Sequence, residues 1–192
     1  YDTGRAHAVG IADSHGLFVN RCPSTVVFRR LRENGPAVLV PLAWSFVTAA
    51  HLDAVATRTL LIAHVVMATL LLAFAALSWT DMRSGALLVW RRIILAGFVF
   101  TVAGAAGLVL PSERLLWAAV VGWMLLPAAG LWNTGRRGAR PARAYFVGGA
   151  CSALGAVVYV LGPVVGSAAT LAGLALVGVG QTLGIAAAVA AD

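Results

Sequence analysis

The sequence predicts an all-α fold, a polytopic membrane bundle of about six transmembrane helices joined by short loops. Three observations predict it. Residues A, V, I, L, M, F, W, Y and C fill 60% of the 192 positions, glycine fills 21 more, and only 11% are charged. An average soluble domain is about 45–50% apolar and about 25% charged. A water-soluble domain of this size still exposes about 30% of its unfolded-chain surface, which so few polar residues cannot cover. Disordered chains are polar and highly charged, so disorder is excluded as well. The second observation is a succession of six apolar runs, and the third is an arginine distribution that alternates from loop to loop.

A helix crossing a bilayer needs about 20 largely apolar residues. The runs fall at about 36–52, 56–79, 88–110, 114–132, 144–162 and 168–190. The first is the shortest. All are continuously apolar, whereas barrel strands alternate over about 10 residues. Pro36 and Pro41 sit where a first helical turn tolerates proline. Asp53 interrupts the first pair and Thr80–Gly85 is a polar turn. Pro111-Ser112-Glu113 ends the third run, with Ser112 a candidate cap for the fourth. Gly162-Pro163 is expected to end the fifth. Short loops predict antiparallel neighbours in an up-down bundle.

Two domains are expected: a basic cytoplasmic segment, 1–35, carrying a candidate interfacial helix from Ser24 to Gly35, and the bundle, 36–192. The segment has no continuous apolar core of a cleaved signal peptide, so the first span is expected to act as a signal-anchor.

Orientation follows from arginine, which supplies all 14 basic residues. With the N-terminus inside, twelve flank the inner face: Arg5, Arg21, Arg29, Arg30 and Arg32; Arg83, Arg91 and Arg92; Arg136, Arg137, Arg140 and Arg143. Only Arg58 and Arg114 flank the outer face. This asymmetry predicts a multi-pass protein of the cell membrane with both termini cytoplasmic and anionic lipid as an inner-face partner. The net charge of +7 is therefore read as a topology signal, with no nucleic-acid partner. Trp79, Trp90, Trp117 and Trp132 lie near span ends, as an interfacial belt requires. The absence of lysine rules out Schiff-base chemistry. Cys22 and Cys151 have no metal-site spacing and no evident disulfide partner.

Polar residues inside the spans carry what functional signal there is. His64 lies about eight residues into the second run, roughly 12 Å from its outer boundary. An ionisable group at that depth is a functional candidate by default. The bland alternative is a neutral ring bonded to Ser45 or Thr48 of the first span. Gln181 and Thr182 lie mid-way along the sixth run and Ser152 along the fifth. With His64 and Ser45 they make a candidate substrate path. Gly180-x-x-x-Gly184, Gly148-x-x-x-Ser152, Cys151-x-x-x-Gly155 and Ala103-x-x-x-Gly107 are close-packing patterns that serve the bundle or a dimer face. Pro127 predicts a kink in the fourth helix and a freed carbonyl. His51, Asp53, Arg58, Glu113 and Arg114 gather at the outer rim, with Asp53–Arg58 a candidate pair across the first hairpin.

A haem held by two histidines is disfavoured, because folding the first hairpin places residue 45 rather than His51 opposite His64. The cofactor stays unassigned and no metal site is expected. No Walker, GxSxG or HExxH motif is present, and no matching motifs support a three-plus-three repeat. The functional expectations are a small permease or channel-like protein with a polar path near His64 and Gln181, or a non-catalytic subunit of a larger membrane complex. The latter brings partner membrane subunits or a homo-oligomer. An enzyme or cofactor protein using His64 is the weakest of the three, since catalysis needs more converging polar groups.

Overall fold

The computed structural model describes residues 23–190; Arg5, His7, His15, Arg21, Cys22 and the rest of the first 22 positions lie outside the described residues. Six helices follow one another: α1 (Pro23–His51), α2 (Thr57–Leu77), α3 (Gly85–Val109), α4 (Glu113–Arg136), α5 (Ala142–Val165) and α6 (Ser167–Val189). Among the described residues there is no strand. Five helices, α2 to α6, are long and apolar enough to cross a membrane, and α1 contributes the shorter apolar stretch Ala37–His51.

The distribution of side chains is that of a protein dissolved in hydrocarbon. Leu77 and Val164 are 83% and 88% exposed, and α2 turns Ile62, Val65, Val66 and Leu70 outward. Gln181 and Ser152 meanwhile sit 2% and 0% exposed in the interior. Lipid tails are as apolar as leucine, so close packing and interhelical hydrogen bonds, not apolar burial, must hold such a bundle.

Two expected breaks fall elsewhere, and a third falls where expected but without its side-chain cap. α1 runs unbroken through Gly35, Pro36 and Pro41, so the boundary drawn at residue 35 lies inside a helix. α5 continues past Gly162-Pro163 to Val165 and turns at Gly166, whose φ of 125° suits glycine and few other residues. Proline removes one intrahelical bond, but neighbouring helices can re-satisfy the freed group in a membrane bundle. Ser112 occupies the N-cap of α4, yet its side chain makes no capping bond. The negative charge in that first turn comes from Glu113, which complements the helix dipole.

The α1–α2 turn closes on an unusual residue. Ala54 N–H donates to Ala49 C=O at 3.0 Å and Asp53 N–H to Ala50 C=O at 3.2 Å, the paired bonds of a Schellman motif. Its left-handed position holds Asp53, at φ 56°, where glycine is usual. Asp53→Gly is therefore expected to raise stability by about 0.5 kcal/mol, and Asp53→Val to lower it by about 1 kcal/mol or more. Paired thermal melts in micelles check the sign.

Packing follows chain order from α2 to α6, but α1 leaves the series and packs against α6 instead of α2. The spatial order is α2–α3–α4–α5–α6–α1, with α4 also touching α6. The reason lies in two residues. Trp44 is buried in a cluster with Met124, Tyr159 and Val177, and a Cβ on Gly178 would come within 3.1 Å of the Trp44 Cβ. The missing side chain makes the seat for the indole.

The α5–α6 pair is the tightest. Gly148, Ser152, Gly155, Tyr159 and Gly162 on α5 recur at intervals of four and three, as do Gly173, Val177, Gly180 and Gly184 on α6; all are buried. This is a heptad seam built from small residues. A Cβ on Gly148 would stand 2.5 Å from the Gly180 carbonyl oxygen, and one on Gly155 2.7 Å from that of Gly173. The helices thus meet backbone to backbone.

The α3–α4 pair interlocks differently, through aromatic side chains on glycines. A Cβ on Gly97 would meet the Trp123 ring at 2.7 Å, and one on Gly122 the Phe100 ring at 2.5 Å. Two reciprocal clips cross this interface. Trp90 Nε1 donates to Thr134 Oγ1 and Trp123 Nε1 to Thr101 Oγ1, each at 3.1 Å. Each threonine hydroxyl then donates to the carbonyl four residues back, Gly130 and Gly97 respectively. Trp90, read as a belt residue, is in part an internal clip. Trp79 lies under Arg91, whose guanidinium carbon is 4.4 Å from the ring centre.

Candidate functional site

The only place where several buried polar side chains converge, among the described residues, is built around the bend of α4. Pro127 has no N–H, so the Trp123 carbonyl four residues earlier loses its helical donor. Gln181 on α6 supplies one: its Nε2 donates to Trp123 O at 3.0 Å. The same nitrogen lies 3.1 Å from Ser152 Oγ and 3.3 Å from Met124 O. Ser152 Oγ donates to Met124 O at 2.9 Å. On the other side of the amide, Trp44 Nε1 donates to Gln181 Oε1 at 2.9 Å.

The donor inventory fixes the orientation of the amide. An indole N–H can only donate and backbone carbonyls can only accept, so the oxygen must face Trp44 and the nitrogen Trp123. The cluster therefore joins α1, α4, α5 and α6 at one point. No buried side-chain nitrogen or oxygen among the described residues lacks a partner. Amide, hydroxyl and indole groups neither titrate near neutral pH nor act as nucleophiles without an activating base. What this arrangement does chemically is bind helices together.

The path residues separate into different places. Gln181 and Ser152 meet in this cluster. Thr182 Oγ1 bonds back to Gly178 O at 2.6 Å, and Ser45 Oγ, exposed, to Pro41 O at 2.8 Å. Neither is bonded to Gln181. His64 is on the opposite flank. Its Nδ1 lies 2.8 Å from Leu60 O, and its other nitrogen points at α3, where a Cβ on Gly104 would be 2.5 Å away. The expected bond to Ser45 or Thr48 is not made, because α1 and α2 do not pack together; Thr48 bonds to Trp44 O. Since Leu60 O can only accept, the neutral ring carries its proton on Nδ1, and Nε2 keeps an unshared lone pair.

Gly104→Val should lever His64 away from α3. α2 packs on α3 alone apart from minor contacts, so amide exchange in α2 should speed up on the order of tenfold while α5 and α6 stay protected. Uniform loss of protection would contradict the placement of α2 as a separately attached flank.

At the rim beside the α1–α2 turn, His51 turns away from His64. Its Nδ1 is 2.8 Å from Val47 O and its Nε2 2.9 Å from Tyr159 OH, which donates to the neutral ring. Tyr159 also packs against Trp117 at 5.1 Å between ring centres. The two histidines lie on different flanks and do not face one another across a shared gap. Asp53 and Arg58 form no ion pair, nor do Glu113 and Arg114; Asp53 is committed to the turn. Among the described residues no three His, Cys, Asp or Glu side chains converge.

Sequence reasoning missed Trp44, Tyr159, Thr101 and Thr134. The one signal available was arithmetic: the residue four before Pro127 is Trp123, whose carbonyl must find a donor elsewhere.

No protein-family model, curated protein or solved structure matches this chain. Fold and cluster together define a class, an all-helical membrane protein whose spans are pinned by a buried neutral polar cluster.

Proposed function

We propose that this chain is a non-catalytic assembly subunit of the cell membrane, a rigid α3–α6 block carrying α1 and α2 as flanks, with both helix termini toward the cytoplasm. The observation that supports it is the saturation of the polar interior. A permeation path needs donors and acceptors that exchange with a solute. Here Gln181, Ser152 and the Trp123 carbonyl are committed to one another, and releasing the carbonyl would cost about 1–3 kcal/mol. The most apolar span, α2 (mean hydropathy 2.5), packs on one neighbour and offers Ile62, Val65 and Val66 outward. This is the face expected to receive a helix of another membrane chain.

A second reading, a small permease, draws on His64. Its half-buried Nε2 lone pair at the α2–α3 seam is an acceptor for a solute hydrogen bond. One experiment separates them. A photo-crosslinker at Val65 in membranes should yield an adduct with a second chain, while one at Leu154 on α5 should not. If no adduct forms at Val65 and reconstituted vesicles show a solute flux that His64→Ala abolishes, the permease reading replaces the first.

A further inference from the structure

We propose that the α3–α4 groove is a binding site for one anionic phospholipid of the inner leaflet. The proposal rests on the membrane-spanning fold and on the inward orientation of the arginine-rich ends, and is independent of the assembly reading. The groove is open along the helix surface and offers about 340 Å³, at the lower end of the roughly 300–1,000 Å³ range of ligand clefts. One end carries Arg92 and Asn133, and the floor is Ala96, Leu126, Ala129 and Gly130. Leu126 is shared with a second, wholly apolar groove of about 270 Å³ that continues between the same two helices to Phe100 and Gly122.

The sequence distance from Val89 at the basic end to Phe100 at the apolar end is 11 residues, about 16 Å of helix rise. That is close to half of a hydrocarbon core about 30 Å thick, the reach of one acyl chain in one leaflet. The surface is therefore graded as a phospholipid is graded, charged at the interface and apolar below it.

The basic end is shaped for a phosphate. The Arg92 guanidinium has no hydrogen bond or ion pair with any described residue. Arg137 Nε donates to Asn133 Oδ1 at 2.8 Å, which takes up the amide oxygen and leaves the Asn133 NH₂ as a donor. One guanidinium and an amide N–H thus border the groove mouth, with Arg137 bonded to the far side of that amide, on the side where arginines concentrate. A guanidinium set into an apolar groove keeps its head at the interface, where a phosphate diester accepts its paired donors. A zwitterionic lipid brings its own cation to the same place and gains less.

The test is native mass spectrometry of the full chain in micelles, titrated with phosphatidylglycerol or phosphatidylcholine. Wild type should retain the first about fivefold better, the scale of one arginine near an anionic surface. Arg92→Gln should erase that preference. Ala129→Phe, an exposed position where bulk does not strain the core, should fill the floor and remove retention with Arg92 intact. Arg83→Gln, in the α2–α3 turn, should change nothing. The site is overturned if Arg92→Gln keeps the preference, if Arg83→Gln loses as much, or if Ala129→Phe binds as wild type does. Displacement of the lipid by millimolar inorganic phosphate would equally overturn it, since a site for free anion needs no apolar floor.

Discussion

Gly173→Leu is expected to break the α5–α6 pair and to cost more than 3 kcal/mol of stability, enough to abolish the folded state of a marginally stable bundle. The reason is the identity of the neighbours. A Cβ at residue 173 would lie 2.6 Å from Tyr159 N and 2.7 Å from Gly155 O, and backbone atoms cannot swing aside as a side-chain tip can. Even Gly173→Ala should cost about 1–3 kcal/mol. Gly35→Ala is the control: nothing lies within 4 Å of its Cβ, so the change should be neutral or slightly favourable. Unfolding by titrated detergent, followed by near-ultraviolet dichroism, ranks the three. A Gly173→Leu protein as resistant as wild type would mean that the two helices do not meet along this seam.

Gln181→Leu should destabilise by about 2–4 kcal/mol. It removes the bonds to Trp123 O, Ser152 Oγ and Trp44 Nε1. Interhelical bonds in bilayers contribute roughly 0.6–1.7 kcal/mol each, and a carbonyl left unsatisfied adds its own penalty. Pro127→Ala offers a specific rescue, because the new N–H at residue 127 can return to Trp123 O. In the Gln181→Leu background it should recover about 1 kcal/mol, a coupling that a double-mutant cycle measures. Strict additivity of the two changes would show that the amide and the proline do not share that carbonyl.

How much of this was legible in the sequence depends on whether a feature is local. The spans and the standing-out of His64, Ser152 and Gln181 follow from residue type against an apolar background. The partners do not. Trp44 and Gln181 are 137 positions apart, and their meeting depends on the rotation of α1 about its axis and on its choice of α6 over α2. Chain order favours the adjacent helix, and only the seat at Gly178 explains the departure. The glycine heptad was partly visible: the four-residue spacing from Gly180 to Gly184 was read, while the seven-residue recurrence of Gly148, Gly155 and Gly162 was not. Pro163 misled because a proline near a helix end reads as a stop, whereas Gly166, three residues later, has the backbone freedom to make one.

The neutrality of the mid-bundle cluster has an electrical consequence. The membrane potential does work only on charge that moves through it, about 2.3 kcal/mol per elementary charge per 100 mV, and acidity acts only on groups that gain or lose protons. An amide, a hydroxyl, an indole and two carbonyls offer neither field nor pH a handle. The fastening between α1, α4, α5 and α6 should therefore hold equally well in energised and de-energised cells.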